Sequence, residues 1–415
     1  MRYTLWFVLT AVFGTATSVG ADDKTPAKPK PPEPIARLFV QDLKTSSLKW
    51  ANVWTGEGGK LGIDALATIE GFKALDPAKQ KLVQMRESGS LICVGVRDDE
   101  DGAFESGWVM VQSGVGYSDH GDHGHWHYKK KPIVVDSRLD KQQGNPAHMY
   151  FYDERFFLAN DRLNGYTRLD PAMYATNDAR KVGKDSPRFL VGGGNHITLA
   201  VVADKVGYSC WIDGGGPNKG RVDVTPVTAN EKTDPAYSFM LPNGGIHGAT
   251  TNSGKVFFAP SDGVYWIESD NGLKLKGDQV KVNRIDLGKE DEKPRRTGAF
   301  VSHGHHVLFV TGKESQCLVL LNARHAWPKP LYIPLTVQKR TRAVTPVVVT
   351  TAEEKAYAFV FHDQIQDTDG EDSLEVIALD PNGDGDCADA KSIKTLKVGK
   401  SAVDGHFGHH DIAFD

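Results

Sequence analysis

Cysteine is scarce in this chain. There are 4 in 415 residues, at positions 93, 210, 317 and 387, and no two form a C-x-x-C pair. That excludes a thiolate zinc finger and a thioredoxin-type motif. Basic charge is not in excess: 49 Lys and Arg face 53 Asp and Glu, a formal charge of −4. A nucleic-acid surface, which carries a basic patch, is not expected. No apolar run reaches the ~20 residues of a membrane-spanning helix. Helical periodicity is thin, and only Asp76–Arg86 and Asp170–Arg180 carry a proline-led pattern that predicts short helices. The G-x-S-x-G, Walker, H-E-x-x-H and dinucleotide fingerprints are absent.

What is present starts with a leader. Arg2, the apolar stretch Leu5–Phe13 and the small residues Val19-Gly20-Ala21 predict a secretory signal over residues 1–21. A proline-rich tether follows over 22–35, and 36–415 is expected to form a single domain in the periplasm or outside the cell. Export permits disulfides but the spacing does not pair them. Cys93 and Cys317 read as inert thiols at buried strand positions.

The strong apolar runs are short and rich in β-branched and aromatic residues. Examples are Ser90–Val96, Trp108–Val115, Phe156–Ala159, Lys255–Ala259, Gly263–Glu268 and Ala356–Phe361, separated by Gly, Asp and Asn clusters. This predicts many short antiparallel strands. A unit recurs at roughly 50-residue intervals, a period that fits four-stranded propeller blades. Its starts carry a His in PAHMYF, GNHITLA, GIHGA and GHHVLF, and lack one in SGSLICV and AVTPVVV. The C-terminal GHFGHHDIAFD is one more strand start, and the folded N-terminus from Ala36 lacks one. Together they predict an all-β, seven-bladed propeller closed by pairing of N- and C-terminal strands in one composite blade. A truncated longer chain and a pair of β-sandwiches are the alternatives.

First strands line the channel of a propeller, so histidines in one phase of the repeat would converge on its axis. The axial candidates are His148, His196, His247, His305 or His306, and His409 or His410. Three or four imidazoles suit tetrahedral Zn²⁺, and also Cu or Ni. A second set crowds Asp119-His120-Gly-Asp122-His123-Gly-His125-Trp-His127, which reads as a flexible metal-binding loop. Asp380, Asn382, Asp384 and Asp386 match the start of a Ca²⁺ loop. Lys391 stands where an EF-hand has its twelfth-position Glu, so the match is partial.

From DHGDHGHWHYKKKPIVVD through PAHMYFYDERFFLAND, GNHITLAVVADKV and GIHGATTNSGKVFFAPSDGVYWIE, the chain resembles the AztD-type periplasmic zinc metallochaperones. The resemblance spans about residues 110–320. It implies a propeller that passes zinc to the solute-binding protein of a zinc ABC importer. It also implies a central zinc site at His148, His196 and His247, and a mobile loop at His120, His123, His125 and His127. Met240-Leu-Pro-Asn-Gly-Gly stands where the family often has a Cys-containing segment, and Trp126 is a further departure.

The expected function is that of an exported zinc metallochaperone. It is expected to be a monomer and not an enzyme, with no nucleic-acid partner and no membrane insertion of the mature chain. The alternatives are a metal-dependent or redox propeller enzyme (a lactonase-like hydrolase or a copper enzyme) and a non-catalytic protein-binding propeller.

Overall fold

The computed structural model describes residues 33–98, 105–175, 187–227, 234–336, 340–365, 370–400, 410 and 412. Among these there is no α-helix, and no helix is long and apolar enough to cross a membrane. Seven antiparallel sheets follow one another as the blades of a propeller. Blade 1 holds Ala36–Asp42, Ser47–Thr55 and Leu61–Ile63, with Ala67–Thr68 also on the middle strand. Blades 2 to 6 open with inner strands Gln80–Ser88, Pro146–Tyr152, Leu199–Val202, Ala249–Asn252 and Val301–His303. In blade 7 two short segments, Thr341–Ala343 and Val347–Thr350, share the inner edge of Ala356–Gln364. From blade 2 to blade 7 the inner strands lie against one another in sequence. The segment expected to complete blade 1 from the C-terminus lies outside the described residues, apart from His410 and Ile412.

The apolar runs are continuous because each blade is covered on both faces. Successive side chains of a strand point to opposite faces. Val256 and Phe258 pack with Tyr208, Val222 and Val224 of blade 4. Phe257, between them, packs with Val307, Phe309 and Val319 of blade 6. Leu308 and Leu320 turn the other way, onto Ala358 and Val360 of blade 7. A strand buried on both faces needs apolar residues at every position, not at alternate ones.

Two expectations from the sequence need correction. Residues 80–86 of the stretch expected to be helical belong instead to the inner strand of blade 2, Gln80–Ser88, paired with Leu91–Asp98. Gln80 and Leu82 are buried while Lys81 is exposed, so the period at its start is two. Tertiary pairing overrides a weak local preference for helix here. Blade 2 therefore begins at 80, not 88. Of the second stretch, 176–180 lie outside the described residues, and the described part forms a 3₁₀ turn, Pro171–Met173, capped by Asp170 accepting from the Ala172 amide at 3.0 Å. All four cysteines are free, and Cys317 is half-buried where a buried position was expected.

Candidate metal centre

His148, His196 and His247 come from three successive blades and meet at one end of the inner strands. His148 sits in Pro146–Tyr152, just after a register shift between Pro146 and His148. His196 follows a tight turn in which Asn195 has φ 64° and the His196 amide donates to the Gly194 carbonyl at 2.8 Å. A Cβ on Gly194 would fall 2.2 Å from the Trp211 ring, so glycine lets this turn seat against the blade. The His247 amide donates to the Ala259 carbonyl at 3.0 Å, which fixes its position two residues before the inner strand of blade 5.

The three rings lie with centroids 4.5 Å (148–196), 5.1 Å (196–247) and 6.2 Å (148–247) apart. His148 Nε2 and His196 Nε2 are 2.8 Å apart and share one hydrogen bond. The outer nitrogens are engaged. Nδ1 of His196 bonds to Asp161 Oδ2 at 3.2 Å, and Nδ1 of His247 bonds to the Gly298 carbonyl at 3.0 Å. A carbonyl can only accept, so His247 carries its proton on Nδ1 and offers a lone pair from Nε2. Asp161 is itself held by the Ile197 amide at 3.0 Å and by Arg97 Nη1 at 3.5 Å. Burial pushes the His148 imidazole down to about 3, with the neighbouring His196 adding to the effect. His247 is lowered by burial as well. Both are neutral near pH 7, the state in which imidazole binds a metal. Three imidazoles are the ligand type and number of a tetrahedral Zn²⁺ with one position open, and a metal there would take the place of the hydrogen bond between His148 and His196.

The His-rich segment is a β-hairpin rather than a flexible loop. Gly116–Asp119 pairs with Gly124–His127. The cross-strand pair Tyr117 and Trp126, with centroids 4.8 Å apart, gives it an apolar clasp. Gly124 makes room for that clasp, since a Cβ there would meet the Tyr117 hydroxyl. The rings of His120, His123 and His125 gather at the tip with centroids 5.0 to 5.4 Å apart. His123 Nδ1 pairs with Asp122 at 2.7 Å, and Asp119 Oδ1 accepts from the Gly121 amide at 2.7 Å. His127 bonds to Ser118 Oγ at 2.9 Å instead of joining the tip. At the hairpin's base, Arg37 of blade 1 donates to the Tyr128 and Lys130 carbonyls at 2.7 and 2.6 Å.

Other sequence candidates lie elsewhere. The inner strand of blade 6 is Val301–His303, so His306 opens the second strand and His305 lies in the turn before it. Asn252, the last residue of the neighbouring inner strand, donates to the His306 carbonyl at 3.2 Å. His247 precedes the first residue of that strand, so His305 and His306 stand at the opposite end of the channel. His410 bonds through Nε2 to Asp372 Oδ2 at 2.8 Å. In the acidic turn the side-chain oxygens hold the turn's own amides. Asp380 accepts from Gly383, Asp384 and Gly385, Asn382 from Asp384, Asp384 from Asp386, and Asp386 from Ala388. Calcium finds no support there. Asp161, Arg97 and the Gly298 carbonyl were missed, because each reaches its histidine or carboxylate across a blade boundary, 35 to 64 positions away in the chain.

No family model matches this chain, and no curated protein matches it. Solved structures do. In fold, the chain is similar to AztD. The structure of Citrobacter koseri AztD is 16% identical, with a TM-score of 0.50, covering 88% of this chain and 95% of that one. The apo form of the same protein gives 15% and 0.49 over the same shares. A candidate 6-phosphogluconolactonase from Bacteroides fragilis gives 12% and 0.46, covering 86% of this chain and 92% of that one. At these identities the likeness is one of fold.

Proposed function

We propose that this protein is an exported zinc metallochaperone, which holds Zn²⁺ on His148, His196 and His247 and yields it to a periplasmic solute-binding protein of a zinc importer. The meeting of three imidazoles from three blades, two of them held neutral by burial, carries this reading. The packing of three blades accounts for firm holding: it brings the rings together, and zinc replaces the hydrogen bond between His148 and His196. The His120, His123, His125 tip accounts for release. It is exposed and local, and it can share ligands with an acceptor while the metal moves. The leader at 1–21 routes the chain out of the cytoplasm, and a monomer presents the channel mouth to its partner.

The test is a zinc titration of the purified chain against a chromogenic chelator near pH 7. One tight equivalent is expected to be lost in His148→Ala with His247→Ala. Unchanged binding in that double variant would sink the axial site. Transfer is read by mixing the loaded chain with the importer's solute-binding protein and following which partner holds zinc after separation. Zinc that moves no faster than free dissociation allows removes the chaperone reading and leaves a storage protein.

A further inference from the structure

Blade 7 gathers a second donor set, away from the trio. Asp363 is the last residue but one of the strand Ala356–Gln364, and Asp372 begins the next one, Asp372–Ala378. Both are nearly fully buried, at 1% and 2% exposure. His410 reaches them from beyond the last strand. Its Nε2 lies 2.8 Å from Asp372 Oδ2, and its ring stacks on Phe361 at 5.4 Å with an interplanar angle of 21°. Asp372 is oriented by a hydrogen bond from the Gln364 amide to Oδ1 at 2.8 Å. One ligand atom from each of the three side chains lies within 4.8 Å of the others. Two strands and a separate segment thus bring two carboxylates and one imidazole to a point.

We propose that Asp363, Asp372 and His410 form a divalent transition-metal site that clasps position 410 to blade 7. Two buried carboxylates this close repel when both are ionised, and a shared cation relieves that repulsion. A divalent ion between the three accepts an oxygen from each carboxylate and the imidazole lone pair. Calcium and magnesium favour all-oxygen shells, and Cu(I) favours sulfur, so a mixed set of two oxygens and one nitrogen suits Zn²⁺, Mn²⁺ or Co²⁺. Three protein ligands leave room for water. The proposal stands independently of the trio, because the two sets share no residue. Its consequence is structural: a metal that binds the folded state alone raises stability by mass action, here by pinning a late segment of the chain to the last blade.

The experiment uses the full chain, stripped with a chelator and reloaded with Co²⁺ or Zn²⁺ at controlled free metal. Bound equivalents and Tm are measured for the wild type, Asp363→Asn, His410→Ala, and the trio variant His148→Ala with His247→Ala. Asp363→Asn and His410→Ala are each expected to bind one equivalent less than the wild type and to lose part of the metal-dependent rise in Tm. The trio variant is expected to keep that part. Should a variant fail to fold, hydrogen exchange on the trio variant alone is the readout. Protection of the Gln364 amide and of Asp372–Ala378 rises on adding metal. Unchanged metal counts in Asp363→Asn, or unchanged protection at Gln364, would overturn the site and leave an ordinary His–carboxylate pair.

Discussion

The axial trio and the hairpin tip use the same side chain in opposite settings. His148, His196 and His247 come from three blades, with 48 positions between the first two, and their Nδ1 partners include a buried carboxylate and a backbone carbonyl. His120, His123 and His125 come from one turn, and His123 pairs with an exposed aspartate. The first arrangement is held by the packing of whole sheets. The second is held by one aromatic pair and a two-stranded ladder. Imidazole count alone therefore says little about metal affinity. What separates a firm site from an exchangeable one is whether the ligands are fixed before the metal arrives.

The largest expected effect is on the trio itself. His148→Ala with His247→Ala should weaken zinc binding by more than the ~10–100-fold that loss of a supporting partner costs, as measured by chelator competition. Asp161→Asn should cost that ~10–100-fold, since it disturbs the hydrogen bond that orients His196 while leaving all three rings. An effect as large as that of the double variant would place Asp161 among the ligands rather than behind them.

Acid provides a third test. His148 is held neutral in the folded chain, down to about 3, against about 6.5 in the unfolded one. Its contribution to apo stability is fully present above about pH 6.5 and is lost as pH falls toward 3, because the unfolded state takes up the proton first. By about pH 4.5 the loss is on the order of 2 kcal/mol. Urea unfolding of wild type and His148→Asn at both pH values checks it, and the variant should show the shallower fall. Smallest is Trp126→Ala. It should cost the hairpin about 0.2–1 kcal/mol of local stability, seen as faster hydrogen exchange between 116 and 127, with trio affinity unchanged. A matching loss of trio affinity would show that the two regions are coupled.

The strands were readable because propeller blades bury both faces, and runs such as Lys255–Phe258 and Val264–Glu268 leave no helical period to compete. Three axial histidines were readable because each stands just before or within an inner strand. The same rule misplaced His306. Its apolar run Val307–Val310 is the second strand of its blade, and the short inner strand Val301–His303 carries little apolar signal of its own. Gln80–Ser88 was hidden for a related reason: its middle residues are half-buried at the channel, where polar side chains are tolerated.

By itself, the sequence determined the class of fold, the repeat, and which residue type gathers where, since these follow from local hydrophobic patterning and turn chemistry. Only the tertiary structure decided which histidines meet. Convergence depends on the register of each inner strand, and a shift of a few residues carries a side chain to the other end of the channel. The partners that orient them, Asp161 and the Gly298 carbonyl, lie across blade boundaries. Sheet-on-sheet packing brings such groups together, and no spacing along the chain records it.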